Sequence, residues 1–376
     1  MKPHLDKFNS VGAEIIGLLV MLAGHAAFAA AEVPPPMDVR DAFLYVINSG
    51  SADISAFRID PKNGALTLLT GSPFKAGQAP YSAAADPKGT TLFVTNSTSG
   101  TITAHRISAT NGELTPLSGS PFATGNFPVT AAVHPTGRFL YVTTMTDDAV
   151  AAYAMGGGAA ALRALSGSPF SAGERPSPAA VHPNGGFLYV GNLVSHNVSA
   201  YAIDEETGTL KPVGGSPFAA GRNPRAIAVA PTGRFLYVAN ASSNTISAYA
   251  IGARTGSLSA VPGSPYAAAK NPRGVTVEPK GRYVYAANTD SGTVSAYAID
   301  ARTGALKAVP GSPFPAGEGP RFVAVDPSGR FVYVANGGSN DVSAYEMHAT
   351  TGALAPARGS PYAAGVGPIF AVISGR

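Results

Sequence analysis

PRFVAVDPSGRFVYVANGGSNDVSAYEMHATTGALAP, residues 320–356, reads as one structural unit written in four short phrases. Residues 320–326 alternate and run into Pro327-Ser328-Gly329, a turn built from a proline with fixed φ and a glycine tolerant of positive φ. The string RFVYVAN gives a second strand, GGSN a loop, DVSAYEM a third strand, and HATTGA turns the chain into a short fourth near LAPA. Aromatic and β-branched residues stand on both faces of such a sheet. A solitary copy would leave apolar surface wet on two sides, and packing it between two copies of itself removes that exposure.

The copies are present. Gly71, Gly119, Gly167, Gly215, Gly263, Gly311 and Gly359 each open a GSPF or GSPY, and neighbours are always 48 residues apart. Tyr45, Phe93, Tyr141, Tyr189, Tyr237, Tyr285 and Tyr333 keep the same step inside strings such as FLYVAN and FVYVAN. Self-similarity at such a period marks stacked supersecondary units. The expected fold is all-β: a seven-bladed β-propeller of four-stranded antiparallel blades over residues 41–376. The first-strand pattern ends in Asp86, His134, His182, Ala230, Glu278 and Asp326, one copy fewer than the second-strand pattern, and PIFAVIS at Pro368 supplies the missing one. The C-terminal strand should therefore pair into the first blade and hide an open edge.

Composition agrees: 44 Gly and 32 Pro punctuate short apolar runs, with 45% hydrophobic and only 13% charged residues, which is turn-rich rather than disordered. The formal charge of +4 comes without any run of Lys or Arg, so nucleic acid is not an expected partner. Residues 1–31 read as a signal peptide, with Lys2, His4 and Lys7 before the apolar IIGLLVMLAG and small residues after it; residues 32–40 read as an extended leader. An exported protein, periplasmic or secreted, is expected, with no membrane association beyond that signal and a monomeric state. The absence of cysteine fits export without disulfides.

Residues required in every blade are scaffold. The GSPF segment should shape the link between blades, its Phe or Tyr plugging the gap. Asn48, Asn96, Asn192, Asn240, Asn288 and Asn336, with Thr144 as exception, end the second strand and are expected to close an Asx-type turn. Function should lie where the repeat breaks. One residue after the proline that opens each inner strand, the blades read Tyr81, Val129, Ser177, Arg225, Arg273, Arg321 and Ile369. Three guanidiniums in consecutive blades, with Arg222 and Lys270 in adjoining loops, repel one another unless an anion sits among them. A phosphate or carboxylate would fit; pairing with Glu174 or Glu318, or stacking on a loop aromatic, is the alternative.

A second irregular column, Asp86, His134, His182, Glu278 and Asp326, ends the same strands. Arg321 and Asp326 are five residues apart, roughly 16 Å at about 3.3 Å per residue, so this column belongs to the opposite mouth and should cap turns. Loops on the arginine side offer Asp147, Asp148, His196, Asp290, Asp341, Glu174 and Glu318, among which His196 and Glu174 are the candidate general bases. His105, replacing a repeat tyrosine, reads as a core substitution, and MGGGAA near Gly156 as a turn rather than a phosphate loop. No metal or cofactor is expected, since neither Cys/His ligand spacing nor a G-x-S-x-G elbow occurs.

FVYVANGGSNDVSAY at 331–345 and LYVANASSNTISAY at 236–249 resemble the YVTN-type propeller repeat, and the 48-residue unit resembles bacterial lactonase-family propellers, which include 6-phosphogluconolactonase-like members. The resemblance covers residues 41–376. It implies seven blades and, for some members, hydrolysis of a sugar lactone. Phosphorylated pentose-pathway lactones are cytoplasmic, so the export signal shifts the expectation to a non-phosphorylated sugar or aldonic lactone. The alternative is a non-catalytic propeller binding a ligand or protein partner at the same face.

Overall fold

The computed structural model describes residues 42–156 and 162–374; the signal-peptide and leader readings, and most of the MGGGAA turn, lie outside the described residues. Seven antiparallel sheets form. In the last blade Pro320–Val325 is the inner strand, followed outward by Phe331–Asn336, Asp341–Met347 and the short Leu354–Pro356. The second strand, RFVYVAN in the sequence, is buried at every position from Phe331 to Asn336, as a strand covered on both faces by neighbouring sheets must be. Each inner strand touches the inner strands of the blades on either side, all the way around the ring.

The ring closes as expected. Pro368–Ser374 pairs antiparallel with Ala42–Asn48, placing Tyr45 opposite Val372, so the first blade takes its inner strand from the far end of the chain.

One feature exceeds the four-strand expectation: the Phe or Tyr of the tetrapeptide opens a two-residue fifth strand against the third strand of its own blade. Phe74 stands opposite Ile54, and Tyr362 opposite Val342. The glycine takes φ between 80° and 86° in every copy, which only that residue adopts freely. The serine hydroxyl then accepts the backbone N–H of the third strand, Ala56 to Ser72 Oγ at 2.9 Å in the first blade. Phe74 packs half-buried against a cluster that joins Tyr45 and Ile54 of its own blade to Leu92 and Val94 of the next, which is the expected plug.

The Asn column acts differently from the turn-closing role expected of it. Asn336 Nδ2 donates to Asp341 Oδ1 (2.7 Å) and Ser343 Oγ (2.9 Å), and Asn96 Oδ1 accepts the Gly77 N–H at 2.9 Å. These side chains are fully buried and tie the second strand to the third and to the blade link. Thr144 lacks the amide, and its hydroxyl donates to Ala149 O instead (3.2 Å).

Adjacent blades are also bolted together. Tyr45 OH donates to Gly112 O at 2.7 Å, Tyr141 to Gly208 O at 2.9 Å and Tyr333 to Gly64 O at 2.9 Å, each reaching a turn of the next blade. A buried bond of this kind contributes on the order of 1 kcal/mol. Burial pushes these phenols well above their ordinary pKa. A matching set of arginines runs along the outer turns. Arg330 lies 4.9 Å over the Phe331 ring and donates to Pro61 O (3.2 Å) and Lys62 O (3.1 Å), bridging the last blade to the first.

The Asp/His/Glu column caps turns. Asp326 Oδ1 accepts from the N–H groups of Arg330 (2.8 Å) and Phe331 (2.7 Å), and His134 Nε2 donates to Gly185 O of the next blade at 2.9 Å. His105 is a core substitution: it is 3% exposed, neither ring nitrogen has a partner, and burial lowers its pKa to about 4.

Candidate functional site

Every inner strand starts with a proline, and the residue before it has φ between 48° and 65°: Ala79, Phe127, Arg175, Asn223, Asn271, Gly319 and Gly367. The sharp turn is followed by a β-bulge. Pro224 pairs with Asn240 and Ala226 with Ala239, leaving Arg225 as the extra residue; Arg273 and Arg321 hold the same place in their blades. A bulged residue is released from the ladder and its side chain is re-aimed. Here it is re-aimed into the axis of the ring.

The result is a cavity of about 280 Å³ bounded by all seven inner strands. Arg225, Arg273 and Arg321 occupy one sector of it; Ile369, Tyr81 and Ser177 belong to the remainder. Tyr81 is backed by a small apolar cluster of Val129, Met145 and Leu193, the last two from loops of the third and fourth blades. Phe322 and Phe370 lie in contact with ring centroids 3.9 Å apart and planes tilted by 31°, and both also line a second, Ala- and Val-rich cavity that follows the inner strands further along.

The three guanidiniums are held unequally. Arg225 Nε donates to Asn223 Oδ1 at 2.8 Å, and Arg273 Nε to Asn271 Oδ1 at 3.3 Å. In the last blade the corresponding residue is Gly319, and Arg321 Nε is buried without a partner, lying against Gly337. Among the described residues no carboxylate is within ion-pair distance of any of the three, so the pairing with Glu174 or Glu318 does not occur. The Arg273 pKa is lowered, first by burial and then by the positive charges of Arg321 and Arg225, with Tyr81 and Asp290 acting in the opposite sense. Like charges have thus been brought together and partly dried.

The other sequence candidates sit on the rim. Glu174, Arg222, Lys270 and Glu318 occupy one repeat position three residues before the proline-plus-one column, all exposed, and none lines the cavity. Their backbone N–H groups donate to serines across the loop: Glu174 to Ser195, Arg222 to Ser243, Lys270 to Ser291 and Glu318 to Ser339. His196 is exposed at φ 56°, its Nδ1 2.8 Å from Leu193 O and 3.3 Å from the Asn223 backbone nitrogen. Asp148, Asn244 and Asn340 hold that repeat position elsewhere, accepting the N–H groups of Arg175, Asn271 and Gly367 at 2.7, 2.8 and 2.7 Å. His196 therefore serves a loop-to-loop contact shared with three other blades.

Tyr81, Phe322, Phe370, Asn223 and Asn271 were not picked out as site residues from sequence, although Tyr81 stands in the arginine column itself. The aromatic pair had a signal too: the next column reads Ser82, Thr130, Pro178, Ala226, Gly274, Phe322, Phe370, small residues in five blades and large in two. Among the described residues, no group of three or more His, Asp or Glu side chains is placed to hold a metal ion.

Several solved structures share the fold. A candidate 6-phosphogluconolactonase from Bacteroides fragilis is 19% identical with a TM-score of 0.79, covering 90% of this chain and 99% of its own. The periplasmic gluconolactonase of Pseudomonas aeruginosa is 21% identical with a TM-score of 0.77, covering 89% and 99%. A second candidate 6-phosphogluconolactonase, from Bacteroides uniformis, is 17% identical at 0.78, again covering 89% and 99%. No curated protein sequence matches at a significant level. The family model described as lactonase, 7-bladed beta-propeller, matches residues 24–129, 130–317 and 312–367, and the chain belongs to that lactonase family.

Proposed function

We propose that the chain is an exported lactonase-family propeller that binds an acidic or lactone ligand between Arg225, Arg273 and Arg321 and hydrolyses the lactone. The convergence of three guanidiniums on one cavity with no carboxylate partner carries this reading. In hydrolysis the guanidiniums would hold the lactone carbonyl oxygen as it gains charge. Water oxygen bonds to the carbonyl carbon as one of its protons passes to a base, and the ring C–O bond breaks as that proton is handed to the leaving oxygen to make the hydroxyl. The carboxyl's own proton is released to solvent, and the freed carboxylate stays against the same arginines. Glu174 and His196 remain the candidate acceptors of the water proton, approaching from rim loops.

The composition of the cavity wall favours a second reading, binding without turnover: no Asp, Glu, His, Asn or Gln is among its lining residues. A panel of sugar and aldonic lactones separates the two. Turnover lost in Arg273→Gln and in Glu174→Gln or His196→Asn supports the hydrolase. Arg273-dependent binding of the hydroxy-acid product with no turnover on any lactone supports the binder. Export rests on the signal-peptide pattern of residues 1–31 together with the periplasmic description of the P. aeruginosa protein. N-terminal sequencing of the secreted or periplasmic fraction should find a chain starting near residue 32.

A further inference from the structure

Resting on the reading of the arginine cavity as an anion site, we infer that its three arginines are not equivalent. Asn223 and Asn271 are positioning residues that fix Arg225 and Arg273 in advance, and Arg321 is the adjustable member, ordered only by the anion it meets. The sequence already separates them: residues 223–225 and 271–273 read NPR, whereas 319–321 read GPR. The residue ahead of the inner proline takes a positive φ, 59° at Asn223, 56° at Asn271 and 61° at Gly319, a conformation that glycine and asparagine accept with least strain. Either satisfies the backbone. Only asparagine also brings a carbonyl oxygen to the guanidinium two residues on.

The clamps are built from the loops inward. Asn223 Oδ1 accepts from Arg225 Nε at 2.8 Å, and Asn271 Oδ1 from Arg273 Nε at 3.3 Å. The Asn271 amide is itself oriented, because its Nδ2 donates to Asp290 Oδ1 at 2.9 Å and its N–H to Asn244 Oδ1 at 2.8 Å. A bond at Nε restrains the guanidinium and leaves its terminal nitrogens to a ligand. In the last blade each of these parts is a glycine. Gly319 replaces the asparagine, and Gly292 stands where Asn244 and His196 stand, so no side chain there accepts the Gly319 N–H. Gly337 replaces Ala241 and Thr289, and a Cβ at 337 would come within 3.2 Å of Arg321 Cγ and 3.3 Å of its Nε. Arg321 therefore lies over bare backbone, its Nε buried and unpartnered. A long side chain without an anchoring bond keeps rotamer freedom that a ligand must remove, and a buried donor without an acceptor gains most from an arriving anion.

Sulfate titration of the whole protein, read by calorimetry and by NMR relaxation of the arginine Nε–H groups, tests this. In the free protein Arg225 and Arg273 should be rigid and Arg321 more mobile, and saturation with sulfate should bring Arg321 level with the other two. Asn223→Gly and Asn271→Gly, which copy the last blade and keep the positive φ, should each mobilise only the arginine two residues on and weaken sulfate binding about three-fold or more. Gly319→Asn, which supplies the missing clamp, should rigidify Arg321 and tighten binding by about two-fold or more. Three results overturn the inference while leaving the anion site intact: a free-state Arg321 as rigid as its neighbours, Asn→Gly variants of unchanged affinity, or a Gly319→Asn protein whose Arg321 is rigid with no gain in affinity. If the wild type binds no sulfate, or if Arg273→Gln binds it equally well, the anion site falls and this inference falls with it.

Discussion

Two sets of arginines in this molecule do opposite things. Arg138, Arg234, Arg282 and Arg330 each stack on the aromatic residue that follows them in sequence, 4.9 to 5.3 Å from the ring, and donate to carbonyls of the next blade. Arg225, Arg273 and Arg321 have at most one protein partner at Nε and sit beside one another. Both sets obey the 48-residue period. The difference lies in saturation: where the protein uses up a guanidinium's donors, the residue holds blades together, and where it leaves them open, the residue is available to a ligand. A propeller made of near-identical blades separates scaffold from site in this way, blade by blade and donor by donor.

The comparison breaks most severely if the scaffold does not depend on closure. Removing residues 368–376 takes away the first blade's inner strand and exposes the edge of Ala42–Asn48. The truncated protein is expected to lose its single cooperative thermal transition and to associate through that edge. An unchanged melting curve and monomeric elution would show that the seam between Arg330 and Pro61 is held by something else.

His105 gives the next largest effect, because it is an unsaturated scaffold position sealed from any ligand. Its folded pKa of about 4 lies below the ordinary 6.5, so the unfolded chain takes up a proton first as the pH falls. Stability should therefore decline from about pH 6.5 to pH 4 by about 3 kcal/mol from this residue alone. His134, also lowered by burial, adds in the same direction. His105→Tyr restores the repeat residue, whose hydroxyl in the third blade donates to Ala123 O at 3.4 Å. Denaturant unfolding at pH 5 and pH 8 should show the variant gaining more at pH 5; equal gains at both would mean that His105 is not the titrating group.

A smaller change is expected from Arg330→Ala, which forfeits two carbonyl bonds and the stack on Phe331. Because its side chain is half-exposed, solvent screens much of this, and about 1 kcal/mol of stability is the expected loss. Smallest of all on stability is Arg273→Gln. Removing one of three repelling charges should leave unfolding within about 0.5 kcal/mol of the wild type, or slightly above it at low salt. Urea titrations of the two variants make the contrast directly, and equal destabilisation would erase the distinction between the two sets.

Most of the architecture was legible because the period is a physical constraint: both faces of a blade pack on neighbours, so a blade that slipped by one residue would present the wrong set of side chains to each of them. The closure was readable from counting first strands against second strands, and the arginine column from asking which position breaks the repeat. The roles of the asparagines were not readable. Asn336 and Asn223 are both loop-edge asparagines in sequence, yet one bolts two strands together and the other steadies Arg225, and only the backbone turn before the proline decides which. The same holds for His196, whose partner is the backbone of the following blade link, 27 residues away. Candidate bases chosen by residue type therefore fell on rim loops, while the cavity wall was set by the bulge, a feature of register rather than composition.

Thermal unfolding in sodium sulfate and in sodium chloride at matched ionic strength, for the wild type and for the triple Arg225→Gln, Arg273→Gln, Arg321→Gln protein, tests the site most directly. Sulfate stabilises folded proteins in general through exclusion, and the triple variant measures that background. A bound anion adds to it in the wild type by mass action. The wild type should gain a further increment in Tm that grows with the logarithm of sulfate concentration and is missing from the variant. Equal sulfate gains in the two proteins would contradict an anion site at these arginines.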